Sequence, residues 1–333
     1  MLSASRNRPN IVMLMLDTLR ADRLGCYGYR RRTVSPAIDE VARGSILFER
    51  AIASAPWTLP SHASLFTGLH PSQHGADDVS LYLHERHRTL AERLSGAGYR
   101  TAAFCAHNAW FSAAAGLARG FQLCVGPELK EDASGLREMA ARTADQEQYL
   151  SAEGCEVLGF ARYCLHRLAD RHAPLFLFLH SMINHQPYRP ADASWDKLGA
   201  DPVPADLTAH LAENFRELRA NPETITAEQA EAMDLLYDAC VATADELAAR
   251  LIELIGRRLG WERTVLVITS DHRQNLGEHG MWGHWLCLAD TLLHVPLLIY
   301  PRPFASLPAR VSAPVQQADL CSTLLRLSGA AGQ

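Results

Sequence analysis

Ile11-Val12-Met13-Leu14-Met15-Leu16-Asp17 is a short unbroken apolar run that ends on a carboxylate. A run this short and this uniform reads as a β-strand buried on both faces, the pattern of a parallel sheet covered by helices on each side. Open α/β sheets place their ligands beyond the carboxyl ends of such strands. Asp17 therefore reads either as a helix N-cap or as a site residue. The same pattern recurs. Leu175-Phe176-Leu177-Phe178-Leu179-His180 runs into Asn184-His185, and Thr264-Val265-Leu266-Val267-Ile268-Thr269 runs into Ser270-Asp271-His272.

Helical stretches alternate with these strands. Helices are expected over 35–43, 89–98, most of 129–171, about 205–220, 227–259 and 318–327. Further strands are expected over 46–53, 100–106 and 295–300. Strand–helix alternation implies a largely parallel sheet between two helical layers. The Pro-, Ala- and Asp-rich segment around 190–223 reads as a helical excursion over the sheet edge, a candidate lid on a single domain spanning 1–333.

Composition narrows the function classes. The chain has 333 residues, 48% hydrophobic and 21% charged, with a net charge of −5. That is a globular composition with no broad basic surface for nucleic acid. The run 11–16 is too brief for a signal h-region or a membrane span. The eight cysteines are scattered without a C-x-x-C pair, and several lie in apolar runs. Buried free thiols fit a reducing cytoplasm.

Polar groups gather after the strands. Ala55-Pro56-Trp57-Thr58-Leu59-Pro60-Ser61-His62 reads as a stiff loop feeding a helix, with Thr58 just before the N-terminus. There Thr58 is a cap or a nucleophile, and backbone N–H groups favour an anion. Asp17, Asp271 and His272 offer two carboxylates and an imidazole to one divalent cation, Zn²⁺ or Mn²⁺ before Mg²⁺ or Ca²⁺. A metal beside the Thr58 hydroxyl would lower its pKa. His185 and His284 are candidates for binding oxygens or protonating a leaving group. His107, Asn108 and Trp110 follow the strand at 100–106 and border the same region. Trp282 and Trp285 could stack on an aromatic leaving group, or simply pack.

At this point the sequence resembles the sulfatase-like branch of the alkaline phosphatase superfamily. The resemblance rests on Asp17-Thr18-Leu19-Arg20-Ala21-Asp22 with Gly25-Cys26-Tyr27-Gly28, on Thr58-Leu59-Pro60-Ser61-His62 with Gly68 and His74-Gly75, on Thr89 to Leu94 with Ala97 to Ala103, on Asn184 to Tyr188, on Ser270-Asp271-His272, on Leu276-Gly277-Glu278-His279-Gly280 and on Val295-Pro296-Leu297, in family order. It implies an alkaline-phosphatase-like three-layer α/β sandwich. It further implies Asp17, Asp271, His272 and Thr58 as metal ligands, Thr58 as nucleophile, and His62, His185 and His284 around the reacting group. Asn108, His107, Arg273 and His279 would contact substrate.

The departures sharpen that expectation. Sulfatases carry Cys or Ser at the position of Thr58 and oxidise it to formylglycine. A secondary alcohol cannot give an aldehyde, so no formylglycine is expected. Thr18 stands in place of a second Asp, His62 in place of an Arg, and Trp285 in place of a Lys. A Thr nucleophile resembles the phosphodiesterase and phosphoglycerol transferase members, which act on phosphate esters. Ser181, where two-metal members carry Asp, implies one metal. Arg273-Gln274 replaces Gly-Glu, and Arg273 could clamp a phosphate. Most of the family's small C-terminal sheet subdomain is expected to be absent. The reading is a metal-dependent phosphate ester hydrolase or transferase acting on a small anionic ester, with homodimer formation left open. A sulfuric ester hydrolase and a non-catalytic anion-binding protein are the alternatives.

Overall fold

The computed structural model describes residues 8–105, 107–127, 133–147, 149–170, 172–284, 287–301 and 308–330. Trp285 lies outside them. The organising element is an eight-stranded mixed sheet. From one edge its strands are Arg310–Val311, Ile46–Phe48, Leu297–Tyr300, Thr264–Thr269, Asn10–Leu16, Leu175–Ser181, Arg100–Phe104 and Leu123–Val125. All run parallel except Leu297–Tyr300, which is antiparallel to both neighbours.

Side-chain alternation along the central strands divides the core in two. Val12, Leu14 and Leu16, with Leu175, Leu177 and Leu179, face the helices Ala152–Arg167 and Ala227–Leu259. Ile11, Met13 and Met15, with Phe176 and Phe178, face Thr58–Thr67, Leu90–Gly96 and Asp319–Leu327. The result is a helix–sheet–helix sandwich. Among the described residues no helix is long and apolar enough to cross a membrane.

Two expected elements break up. The strand expected over 46–53 divides at Glu49-Arg50. Ile46–Phe48 joins the main sheet and Ala51–Ile52 joins a separate three-stranded sheet. Pro296, which has no N–H to donate, separates His294–Val295 from Leu297–Tyr300 in the same way. The edge strand Leu123–Val125 was not expected: it is only half-buried and carries no long apolar run.

The long helix Ala227–Leu259 holds a neighbouring helix of its own layer through a buried cap. Asp245 accepts the backbone N–H groups of Ala37 (3.0 Å) and Ile38 (2.8 Å) at the start of Pro36–Arg43. Ser35 makes no such cap, and its hydroxyl accepts the N–H of Gly25 instead. Burial pushes the Asp245 carboxyl up to about 7, whereas an unfolded Asp titrates near about 3.9. Between those values the folded chain holds a proton that the unfolded chain releases. Stability contributed by this group is therefore greatest at low pH, declines as pH rises through that window, and levels off above it. Urea midpoints at pH 5 and pH 7.5 should differ more in the wild type than in Asp245→Asn. Equal differences would remove Asp245 as the cause.

Candidate active site

The strand registers set the site. Leu16 lies opposite Ser181, and Met15 lies opposite both His180 and Thr269. Asp17, His180 and Asp271 thus emerge side by side at the carboxyl edge of the three central strands. The Asp17 N–H donates to the Ser181 carbonyl (2.9 Å), holding the turn in place. Thr18 takes the left-handed conformation, φ 58°, a strained choice for a β-branched residue. Its hydroxyl donates to the Asn184 carbonyl (2.9 Å) and its N–H to Asp271 Oδ1 (3.3 Å).

Thr58 differs slightly from expectation. It is the first residue of helix Thr58–Thr67, and Trp57 occupies the N-cap position without a side-chain bond. Pro60 sits in the first turn, where a missing N–H costs nothing. The Thr58 hydroxyl therefore caps nothing. It lies 3.3 Å from His272 Nε2. His272 Nδ1 donates to the Arg273 carbonyl (3.0 Å), which leaves the Nε2 lone pair facing Thr58.

Both carboxylates are fully buried, and each leaves one oxygen, Asp17 Oδ1 and Asp271 Oδ2, without a hydrogen-bond partner among the described residues. Buried ionised oxygens are costly unless something compensates them. Asp271 Oδ2 lies 3.3 Å from His272 Nε2. Asp17, Asp271 and His272 place ligand atoms within 4.8 Å of one another. Unpartnered oxygens, an oriented imidazole and a hydroxyl alongside fit a divalent cation.

The histidines around this centre are tuned differently. Burial raises the Asp17 carboxyl, but the bond from His180 and the charges of His185, His180 and His272 outweigh it and hold it well below the usual range. His180 Nε2 is 3.1 Å from Asp17 Oδ2 and must carry the proton, because an ionised carboxylate only accepts. Burial works against a charged His180, yet its bond to Asp17 raises its pKa overall. Asn108 Nδ2 lies 3.2 Å from the same ring nitrogen. His62 is pushed down to about 4 by burial. Its Nδ1 donates to the Thr58 carbonyl (2.9 Å), steadying the first turn. His62, His180 and Asp271 form a second buried grouping of ligand-type atoms. His185 Nδ1 donates to the Gln186 carbonyl (2.6 Å), and its Nε2 lies 3.1 Å from His284 Nε2, so a single proton can sit between the rings. Burial, then His272 and His185, hold His284 well below its ordinary value.

A cavity of about 400 Å³ opens above Thr58, lined among others by Asn108, Trp110, His185, Phe215 and His284. His107 stands on its rim, bonded to Glu156 (2.8 Å), the main cause of its raised pKa. Two residues stand elsewhere. Arg273 is 3% exposed. It reaches Asp22 and the carbonyls of His294 (2.8 Å) and Asp290 (3.2 Å). It anchors the Asp271-His272 loop, as Gln274 does through the Tyr188 hydroxyl. His279 is an exposed turn residue outside the cavity lining.

Three residues of the site escaped the sequence reading. His180 could have been found by alternation, because it shares the inward face of Phe176 and Phe178, where an imidazole needs a reason. Arg216 and Arg219, on helix Ala205–Ala220, line the cavity above Thr58. Their spacing puts them on one face, but nothing in the sequence says which way that face turns.

The sequence model of the sulfatase family matches residues 9–330. An ulvan-active sulfatase from Formosa agariphila is 24% identical over 328 residues, covering 96% of this chain and 62% of that protein. An iduronate 2-sulfatase from Homo sapiens is 25% identical over 341 residues, covering 90% of this chain and 61% of that protein. The chain thus spans less than two thirds of the length of these two relatives. Among solved structures, the phosphonate monoester hydrolase of Agrobacterium radiobacter matches with a TM-score of 0.75 at 21% identity, over 97% of this chain and 74% of that one. At that identity the likeness is one of fold. The family match takes in both carboxylate-bearing strand ends and the Thr58 helix, and the chain belongs to the sulfatase family of the alkaline phosphatase superfamily.

Proposed function

We propose that the chain is a single catalytic domain that cleaves or transfers phosphate esters through Thr58. The observation that carries this reading is the uncapped Thr58 hydroxyl on the cavity floor, 3.3 Å from His272 Nε2. Asp17, Asp271, His272 and Thr58 would hold one divalent cation, Zn²⁺ or Mn²⁺ by donor chemistry. Bound there, the cation supplies Lewis-acid stabilisation and a lower pKa for the Thr58 hydroxyl.

The protein's own groups do the rest. The Thr58 hydroxyl loses its proton to solvent, and its oxygen forms a bond to phosphorus as the ester oxygen leaves on the opposite side. The proton between His185 and His284 goes to that departing oxygen. Water or an alcohol then attacks phosphorus and gives its proton to the pair, while the Thr58 oxygen leaves and takes back a proton from solvent. Buried, uncharged His62 keeps the first turn of the helix in place through the Thr58 carbonyl. Phosphorus is favoured over sulfur because Thr58 cannot become formylglycine and must act as an alcohol. The eight free thiols support the cytoplasmic reading.

The test is a panel of aryl phosphate monoester, aryl phosphate diester and aryl sulfate, with acid quenching and mass spectrometry of the peptide carrying Thr58. Phosphate turnover with a phosphorylated Thr58 is the expected result. Sulfate turnover with inert phosphates would establish the sulfatase alternative instead.

A further inference from the structure

The charge inventory of the cavity points outward, to the helix above it. Among the described residues, Arg216 and Arg219 are the only Lys or Arg side chains lining the space over Thr58, and Glu213 is the only carboxylate. Two other basic groups, His62 and Arg273, do not offer a charge to a ligand there. His62 is buried and neutral at ordinary pH. Arg273 is turned onto Asp22 and two carbonyls. Among the described lining residues, guanidinium charge therefore enters the site from helix Ala205–Ala220.

The two arginines are placed differently. Arg219 is half-buried beside Gly283, the residue before His284. A Cβ on Gly283 would stand 3.1 Å from Arg219 Cδ, so the glycine, at φ 75°, leaves the room that this side chain occupies. Arg216 is one helical turn away, exposed, and makes no hydrogen bond or ion pair among the described residues. Residues three apart on a helix share a face, so the two guanidinium groups address one region. The reacting group over Thr58 already meets His185, His284 and the cation site. A cavity of about 400 Å³ holds more than one tetrahedral anion. Trp110 and Phe215 add apolar lining to the same cavity.

We propose that Arg216 and Arg219 form a second oxyanion subsite, so that the preferred esters carry another negative group on their organic part. This deepens the phosphate-ester reading and rests on it for the position of the reacting group. A guanidinium pairs with phosphate, sulfate or carboxylate through paired N–H groups. The chemistry shared by these three defines the substrate class.

Binding tests the subsite without requiring turnover. Phenylphosphonate and 4-carboxyphenylphosphonate, neither hydrolysable, are titrated calorimetrically into the metal-loaded full chain. The wild type should bind the carboxylated probe about 100-fold more tightly, since each of the two charged contacts is worth about tenfold. Arg216→Ala and Arg219→Ala should each cut that ratio about tenfold, and the double variant should bring it close to one. Alanine suits both helix positions, so the fold survives. The double Lys variant should restore part of the ratio. A wild-type ratio near one overturns the proposal, as does a ratio unchanged in the double variant. Equal weakening of both probes also overturns it, because the arginines would then hold the reacting anion. Aryl phosphates that are not turned over while the ratio behaves as expected would count against the catalytic reading and leave the subsite standing.

Discussion

Thr58→Ala should lower kcat on any accepted phosphate ester by at least about a thousandfold, with the fold intact. Removing a nucleophile leaves only positioning and charge stabilisation, which speed attack by water far less than covalent catalysis does. The structure separates that loss from unfolding. The Thr58 hydroxyl caps no helix, and among the described residues its one hydrogen-bond contact is with His272 Nε2 at 3.3 Å. Its removal breaks no strong bond, and alanine is well suited to a helix. The stability change should stay within about 1 kcal/mol. Thr58→Ser keeps the oxygen but frees a side chain that the β-branch had restricted, and should retain turnover about tenfold reduced. Thermal unfolding run beside steady-state kinetics checks both. Turnover retained in the alanine variant would sink Thr58 as nucleophile.

How far the site could be read from the sequence depends on what the chain must do locally. Asn10–Leu16, Leu175–Ser181 and Thr264–Thr269 are buried on both faces, so each writes itself as an uninterrupted apolar run with a definite end. Where such a run stops on a carboxylate, the strand register does the rest, and Asp17 and Asp271 come together without further instruction. Thr58 was legible because prolines and a helix pattern bracket it. Direction was not legible. Arg273 follows His272 immediately, yet its side chain leaves the site for Asp22, because a loop side chain goes where its own partners are. His279 lies in a family-like stretch, but its left-handed backbone (φ 55°) puts it on an exposed turn. Helix Ala205–Ala220 buries only Leu211 and Leu218. With so thin an apolar stripe, its sequence does not disclose which face covers the cavity. The arginines there became visible only with tertiary structure.

The second large effect is expected at Asp271. It accepts the N–H groups of His272 (2.9 Å) and Thr18 (3.3 Å) through Oδ1, while Oδ2 has no hydrogen-bond partner among the described residues. Asp271→Asn keeps the oxygen that holds the two N–H groups and replaces the unpartnered, charged one with an amide nitrogen. The variant therefore separates scaffold from ligand, which Asp271→Ala would not. Elemental mass spectrometry should find about one divalent metal per wild-type chain after incubation with Zn²⁺ or Mn²⁺, and almost none in Asp271→Asn. Metal that binds only the folded chain stabilises it by mass action, about 4 kcal/mol at a thousandfold excess over Kd. Added metal should raise the wild-type Tm and leave that of Asp271→Asn unmoved. His180→Ala should fall between them. His180 holds Asp17 in place through Nε2, and losing such an orienting bond weakens metal affinity about 10- to 100-fold without deleting a ligand. The expected order of affinity is wild type, His180→Ala, Asp271→Asn. A wild-type chain that takes up no metal, or an Asp271→Asn chain that keeps it, would remove Asp17, Asp271 and His272 as a cation site. The two unpartnered carboxylate oxygens would then need another physical explanation.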